Sequence, residues 1–429
     1  MKLLPAIYFS APYAALAAVI IVPWIGLEKK RARSLLLVTL LSLTIHVFWF
    51  FCIRGMPVPH DGPFFLIDDY TYDHYSWAIA KEWRAGNFPA LWTDQYLGTL
   101  HTGWNRILAA IYYLFGRRPW IGILLNIIVG SLLAPLAFFT AREIFPSSPD
   151  PPATRRYTPA FLAGLVTAIH FSFAYWSSFL MRDTFIAALF LAGLFLILCL
   201  YRRPSIWQAL ALAFILMGLS ILRIYSVGAL LAGPAAYLLF FHERKKWFWM
   251  ALGVIVVLAF CSRVFIPLRD YQNQLAYSFL NNLPDAGRTM SGSLLFCIRG
   301  IPRFFLSPYA WYVAPGPPLV NYMLYPGQWF LYLLIIPFAL KGIWICMRES
   351  PPPAVFLIVP GMTSVFLFLL AYGGSVPRQR MYLEPLLIIF ASWGLVRKDR
   401  GGRIPLYWYA FLVVFILAHS WSVWKRGLW

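Results

Sequence analysis

Residues 34–53 read SLLLVTLLSLTIHVFWFFCI, and residues 68–83, a short way on, read DDYTYDHYSWAIAKEW. The first run is about as long as a helix needs to be to cross roughly 30 Å of hydrocarbon. The second places Asp68, Asp69, Asp73 and His74 just beyond it. Apolar runs of similar length recur along the chain. They are continuous rather than alternating, which selects helices over a membrane β-barrel.

Composition agrees. The chain has 429 residues, of which 61% are hydrophobic and 12% charged, with a mean hydropathy of +0.68. A soluble domain would carry about a quarter charged residues. The sequence therefore predicts an all-α polytopic membrane protein, a single integral domain over 1–429. Expected spans cover about 5–27, 34–53, 119–141, 158–177, 184–201, 206–222, 225–242, 247–266, 329–347, 353–373, 382–396 and 404–424. The run 5–27 has no clear small-residue cleavage site and reads as a retained span.

The formal net charge of +20 would suggest nucleic acid in a soluble protein. Here short basic links explain much of it. Lys29, Lys30, Arg31 and Arg33, then Arg142 with Arg155 and Arg156, Arg202 with Arg203, Arg244 to Lys246, Lys341 with Arg348, and Arg397 to Arg403 all fall on one side of that topology. Positive charge marks the cytoplasmic side. No nucleic-acid partner is expected. The other side receives an outer loop at 54–118 and a second at 267–328, which includes SPYAWYVAPGPPLVNYMLYPGQW (307–329). The apolar piece 107–115 is short and bracketed by Arg106, Arg117 and Arg118, so it reads as an interfacial helix in the first loop. Both termini then face outward, and Lys425 and Arg426 break the charge rule.

Three constellations could carry chemistry. The chain holds only 16 acidic residues, yet three Asp lie within 68–73. On a helix Asp69 and Asp73 share a face, and two close carboxylates raise the affinity of one for a proton, which suits a general base. Lys81, Glu82 and Arg84 read as a solvated helix face. Second, YWSSFLMRDTF (175–185) sets Arg182 and Asp183 at the outer end of a span. That pair suits either a snorkelling anchor or a second acidic position facing the first loop. Third, Arg223 in LRIYS and Arg378 and Arg380 in VPRQRMYLEP lie where positive charge is disfavoured. Guanidinium groups grip phosphate through bidentate, charge-assisted bonds, so an anionic lipid headgroup would account for them. Glu384 reads as a structural partner four residues past Arg380. The five cysteines show no metal or disulfide spacing. The acidic cluster could hold a divalent cation, but nothing in its spacing demands one.

There is no GxxxxGK[ST], HExxH or GxSxG, which removes the corresponding nucleotide, zinc and serine-hydrolase chemistries. Acids within the expected spans are scarce and no internal repeat is visible, which counts against a coupled transporter.

The stretches DDYTYDHYSWAIAKEWRAGNFP (68–89), RILAAIYYLFGRRPWIGILLNIIVGSLLAPLAFFTAREIF (106–145), YWSSFLMRDTF and RQRMYLEPLLIIFASWGL (378–395), in this order, resemble the polytopic glycosyltransferases of the GT-C superfamily. The nearest likeness is to the family of protein O-mannosyltransferases and lipid A aminoarabinose transferases. The resemblance implies a GT-C-like bundle of about 12 spans in a cell inner (plasma) membrane, with the active site facing the periplasm or exterior. It implies a polyprenyl-phosphate sugar donor and a lipid, glycan or protein acceptor. By the same likeness the base is a first-loop Asp, left open among Asp68, Asp69 and Asp73. Asp183 then matches the second outer acid, and Arg378 and Arg380 match positions near the donor phosphate, with Arg182 and Arg223 as further candidates. The rival expectations are an O-antigen polymerase or ligase, which would depend on the arginines more than on the first-loop acids, and a lipid or glycan flippase.

Overall fold

The computed structural model describes residues 29–54, 67–87, 102–145, 158–241, 325–372 and 380–397, with a few isolated positions elsewhere. The described residues form twelve helices and no strands. These are α1 (Lys29–Arg54), α2 (Ile67–Arg84), α3 (Thr102–Phe115), α4 (Pro119–Ser131), α5 (Leu133–Ile144), α6 (Pro159–Ile169), α7 (Phe171–Ser177), α8 (Asp183–Arg202), α9 (Ile206–Phe240), α10 (Tyr325–Glu349), α11 (Pro351–Tyr372) and α12 (Glu384–Val396).

Six stretches are long and apolar enough to cross a membrane: Arg31–Arg54, Pro119–Ile144, Asp183–Arg202, Ile206–Arg223, Phe330–Glu349 and Pro351–Leu369. The chain is thus an all-α polytopic membrane protein. The expected spans at 5–27, 247–266 and 404–424, apart from isolated positions, and nearly all of the loop 267–328, lie outside the described residues. Two other expected spans come out short, as the apolar helices Tyr225–Phe240 and Glu384–Val396.

One expected span is not continuous. Residues 158–177 form α6 and α7, bent by 47° at His170, whose backbone is extended (ψ 98). Neither glycine nor an internal proline causes this break. Instead the His170 amide bonds the Thr167 carbonyl in a tighter last turn, and α7 starts in a new direction.

α8 is the core. Nearly all of its residues are buried, from Asp183 to Leu200, between α9 on one side and α5 on another. A helix apolar all round belongs in such a place. α1 has the opposite character: Leu36, Leu37, Leu40, Phe48 and Phe51 stay exposed, a face suited to lipid. α10 and α12 cross closely because both carry glycine at the contact. A Cβ on Gly342 would collide with the Phe390 carbonyl, and one on Gly394 with the Phe338 carbonyl. Small residues at such crossings let membrane helices approach backbone to backbone.

α2 and α3 pack against each other beside this bundle. α3 is fourteen residues long, too short to span the hydrocarbon. It buries Trp104, Leu108 and Tyr112 and exposes Tyr113, Leu114 and Phe115, the two-faced pattern expected of it.

Candidate functional site

The turn between α7 and α8 (178–182) has no helix of its own to satisfy its backbone, and side chains from three helices do so instead. Asn126 on α4 donates its Nδ2 to the carbonyls of Phe179 (2.6 Å) and Met181 (2.8 Å). Trp104 on α3 donates its indole N–H to the Leu180 carbonyl at 3.1 Å. The Leu180 amide donates to Asp69 Oδ1 on α2 at 2.8 Å. Buried backbone groups need such partners, and here they bring a first-loop carboxylate to the foot of α8.

The next two residues reach α9. At Arg223 the backbone leaves helical geometry (φ −165, ψ 89), which releases carbonyls of the preceding turn from intrahelical bonding. Arg182 Nη1 takes one of them, Leu222 O, at 2.6 Å. In return Arg223 Nη2 donates to Asp183 Oδ1 at 2.8 Å. The two arginines and Asp183 are all buried, and burial pushes the Arg182 guanidinium below its ordinary value, though an arginine starts so high that it stays charged. Gly103 is part of this construction, since any side chain there would strike Ile221.

Asp69 and Asp73 share a face of α2 as their spacing predicts, and both are buried, but they do different things. Asp73 Oδ1 accepts from the Tyr112 hydroxyl at 2.7 Å. Its Oδ2 accepts from Arg117 Nε at 2.9 Å and Nη2 at 2.5 Å. Both oxygens are thus engaged in joining α2 to α3 and the residues after it. The bond to Asp73 raises the Arg117 guanidinium, and burial first, then the Asp73 charge, raises the Tyr112 phenol. Asp68 is half-buried and His74 exposed, the latter stacked on Tyr70 with ring centroids 5.9 Å apart.

Arg84 lies on an exposed face of α2, as expected, and also reaches α3. It donates to the carbonyls of Tyr112 (2.9 Å) and Tyr113 (3.1 Å) near the end of α3 and lies 5.3 Å from the centroid of the Trp77 ring. It therefore adds a cation to the carbonyls at a helix C-terminus.

Arg380 belongs to a second buried group. Its guanidinium lies 5.0 Å from the centroid of the Tyr332 ring, and Tyr332 donates its hydroxyl to Glu384 Oε1. Glu384 Oε2 faces His170 Nδ1 at 3.8 Å. Sequence reasoning gave Glu384 a structural role and missed His170 and Tyr332. The available signal was weak: a histidine and a glutamate in apolar surroundings, far apart in the chain. Arg378 lies outside the described residues.

The structure thus brings Asp69, Arg182, Asp183 and Arg223 together, ties Asp73 into the α2–α3 unit, and sets Arg380 with Glu384. Among the described residues no three of His, Cys, Asp and Glu converge as a metal site. No protein-family model matches this sequence, and no curated protein matches it.

Proposed function

We propose that this chain is a membrane glycosyltransferase that moves a sugar from a polyprenyl-phosphate donor to an acceptor hydroxyl on the extracytoplasmic side. One observation carries the reading. A carboxylate from the first loop, Asp69, and the crossed Arg182–Asp183–Arg223 group meet at one end of the bundle, linked through Leu180 and Leu222. Glycosyl transfer needs such a mixture. The acceptor oxygen attacks the anomeric carbon, and its proton passes to a carboxylate. The carbon–oxygen bond to phosphate breaks, and the electron pair leaves on the phosphate oxygen. Carboxylates stabilise the positive charge that develops on the sugar. Guanidinium groups stabilise the departing phosphate. A lipid-linked leaving group gives a physical reason for embedding the enzyme, since the product polyprenyl phosphate stays in the bilayer.

Of the three first-loop carboxylates, Asp69 suits the base best. Both Asp73 oxygens hold Tyr112 and Arg117, whereas Asp69 stands beside the arginine-bearing turn. Arg182 and Arg223 are the candidate phosphate ligands among the described residues; Arg380, given that role by resemblance, lies instead beside Tyr332 and Glu384, and Arg378 is beyond the described residues.

The test is transfer by the purified full-length chain, read by mass spectrometry of the acceptor together with the lipids that copurify. Asp69→Asn is expected to lower turnover by about 10²–10⁴-fold, the usual share of a general base, with the protein still monodisperse. Wild-type turnover in that variant overturns the assignment. A chain that yields no glycosylated product and copurifies with no glycosylated polyprenyl phosphate overturns the class.

A further inference from the structure

At the break between α6 and α7, six polar side chains are buried together: His170 and Ser172 at the break, Gln328 and Tyr332 on α10, Arg380 shortly before α12, and Glu384 at its start. Some of their polar atoms satisfy one another. Gln328 Nε2 donates to Ser172 Oγ at 2.6 Å, and Tyr332 donates to Glu384 Oε1. Others do not. Glu384 Oε2, His170 Nδ1 and Gln328 Oε1 have no hydrogen-bond partner among the described residues. The first two face each other at 3.8 Å, beyond hydrogen-bond reach.

A buried carboxylate oxygen left without a donor is costly. Packing does not require this arrangement, because α10 and α12 are already locked at Gly342 and Gly394. Ionisable groups at such depth mark functional sites more often than structural ones. The chemistry of the pair limits what completes it. The carboxylate oxygen calls for a donor, and the ring nitrogen offers or accepts one proton according to its tautomer. A phosphate would be repelled by Glu384. An ammonium would suit Glu384 but would meet the Arg380 charge close by. A hydroxyl is neutral, donates once and accepts as well. Its oxygen, placed about 2.8 Å from each atom, bridges two groups at this separation.

We propose that Glu384 and His170 form a binding site for one hydroxyl group of a sugar. Gln328 Oε1 supplies a second acceptor one helical turn from Tyr332. This inference rests on the transferase reading and deepens it, by assigning sugar selectivity to residues separate from Asp69 and the Arg182–Asp183–Arg223 group. The hydroxyl belongs either to the donor sugar or to a glycan acceptor.

The test uses the full-length chain in nanodiscs and two probe sets. One is a polyprenyl-phosphate hexose with its monodeoxy analogues, and the other is the matching methyl hexosides. Binding is read by native mass spectrometry and titration calorimetry. In the wild type, one deoxy analogue is expected to bind roughly ten- to a hundredfold more weakly than its parent, the effect of one hydrogen bond to a charged group. Discrimination among the lipid-linked probes assigns the site to the donor, and discrimination among the methyl hexosides assigns it to the acceptor. Glu384→Ala and His170→Ala should erase that preference. Glu384→Gln and His170→Asn keep polar atoms in place and should reduce it while holding the fold, so they decide the matter should the alanine variants aggregate. Variants that bind the parent probe and retain full discrimination overturn the hydroxyl site and leave the transferase reading standing. A wild-type chain that binds the parent but shows no preference against any deoxy analogue does the same. A wild-type chain that binds none of the probes overturns both.

Discussion

Two ion pairs at opposite ends of this bundle differ in how deeply they are buried. At one end Arg223 and Asp183 meet at 2.8 Å with side chains only 3% and 4% exposed, and Asp69, Arg182 and Glu384 are buried close to the same helix ends. At the other end Arg397 and Glu349 pair at 3.2 Å with side chains 32% and 21% exposed. Glu143 there reaches Arg202 at 3.9 Å, and both are partly solvated. The helices are shared: α8 has Asp183 at its start and Arg202 in its last turn, and α12 has Glu384 at its start and, near its end, Trp393, which stacks on Phe145 at 4.3 Å. The ends therefore differ through what their side chains are asked to do, and not through the helices that carry them. Partly exposed pairs at a bundle end tether links at little cost. Buried pairs carry a desolvation cost that packing alone would not select.

The largest test of this contrast is Arg223→Ala. It removes the partner of a buried carboxylate, an effect of about 3–5 kcal/mol. Unfolding of the detergent-solubilised chain should show it as a large drop in stability. A loss under 1 kcal/mol would mean that water reaches Asp183 freely and that the two ends are alike. Next in size is Asn126→Ala, which strips the 178–182 turn of its hold on two buried carbonyls. At about 1–3 kcal/mol for an unsatisfied group, it should destabilise the chain and also slow transfer, because Asp69 is positioned through the same turn. Stability loss without any change in turnover would separate the turn from the site.

Much of the first end was legible in the sequence. Three Asp within six positions stand out in a chain so poor in acids, Arg182 and Asp183 stand out as a pair at the end of a span, and Arg223 stands out as a cation on the side where the charge rule disfavours it. The roles within the cluster were not legible. Asp69 and Asp73 are equivalent by spacing, and only the fold separates them. Tyr112 and Arg117, which claim Asp73, lie 39 and 44 positions along the chain, and Leu180, which engages Asp69, lies 111 along. The break at His170 was invisible for a different reason. It falls within a continuous apolar segment, and no proline or glycine marks it. The start of α12 was read only two residues early: the expected span opens at Tyr382, and the helix begins at Glu384.

Tyr112→Phe sharpens the comparison from within α2. It deletes the hydroxyl that donates to Asp73 Oδ1 and leaves Arg117 in place. An effect of about 1 kcal/mol on stability is expected, with turnover nearly unchanged if Asp73 is a strut. A collapse of turnover with stability intact would instead make Asp73 the proton acceptor and return Asp69 to a positioning role.

The smallest effect belongs to the solvated end. Arg397→Ala removes a partly exposed pair with Glu349 and a guanidinium 4.7 Å from the centroid of the Trp393 ring. Exposed pairs contribute about 0–1 kcal/mol, so stability should fall by no more than that. Salt provides the sharper reading. At 1 M ionic strength the screening length shrinks to about 3 Å, so the deficit of Arg397→Ala relative to wild type should narrow as salt rises. The deficit of Arg223→Ala should stay constant, since mobile ions do not enter its surroundings. Unfolding midpoints for both variants at low and high salt measure the difference directly. Equal salt dependence at the two ends would show that solvent, and not burial, sets the charge behaviour of both.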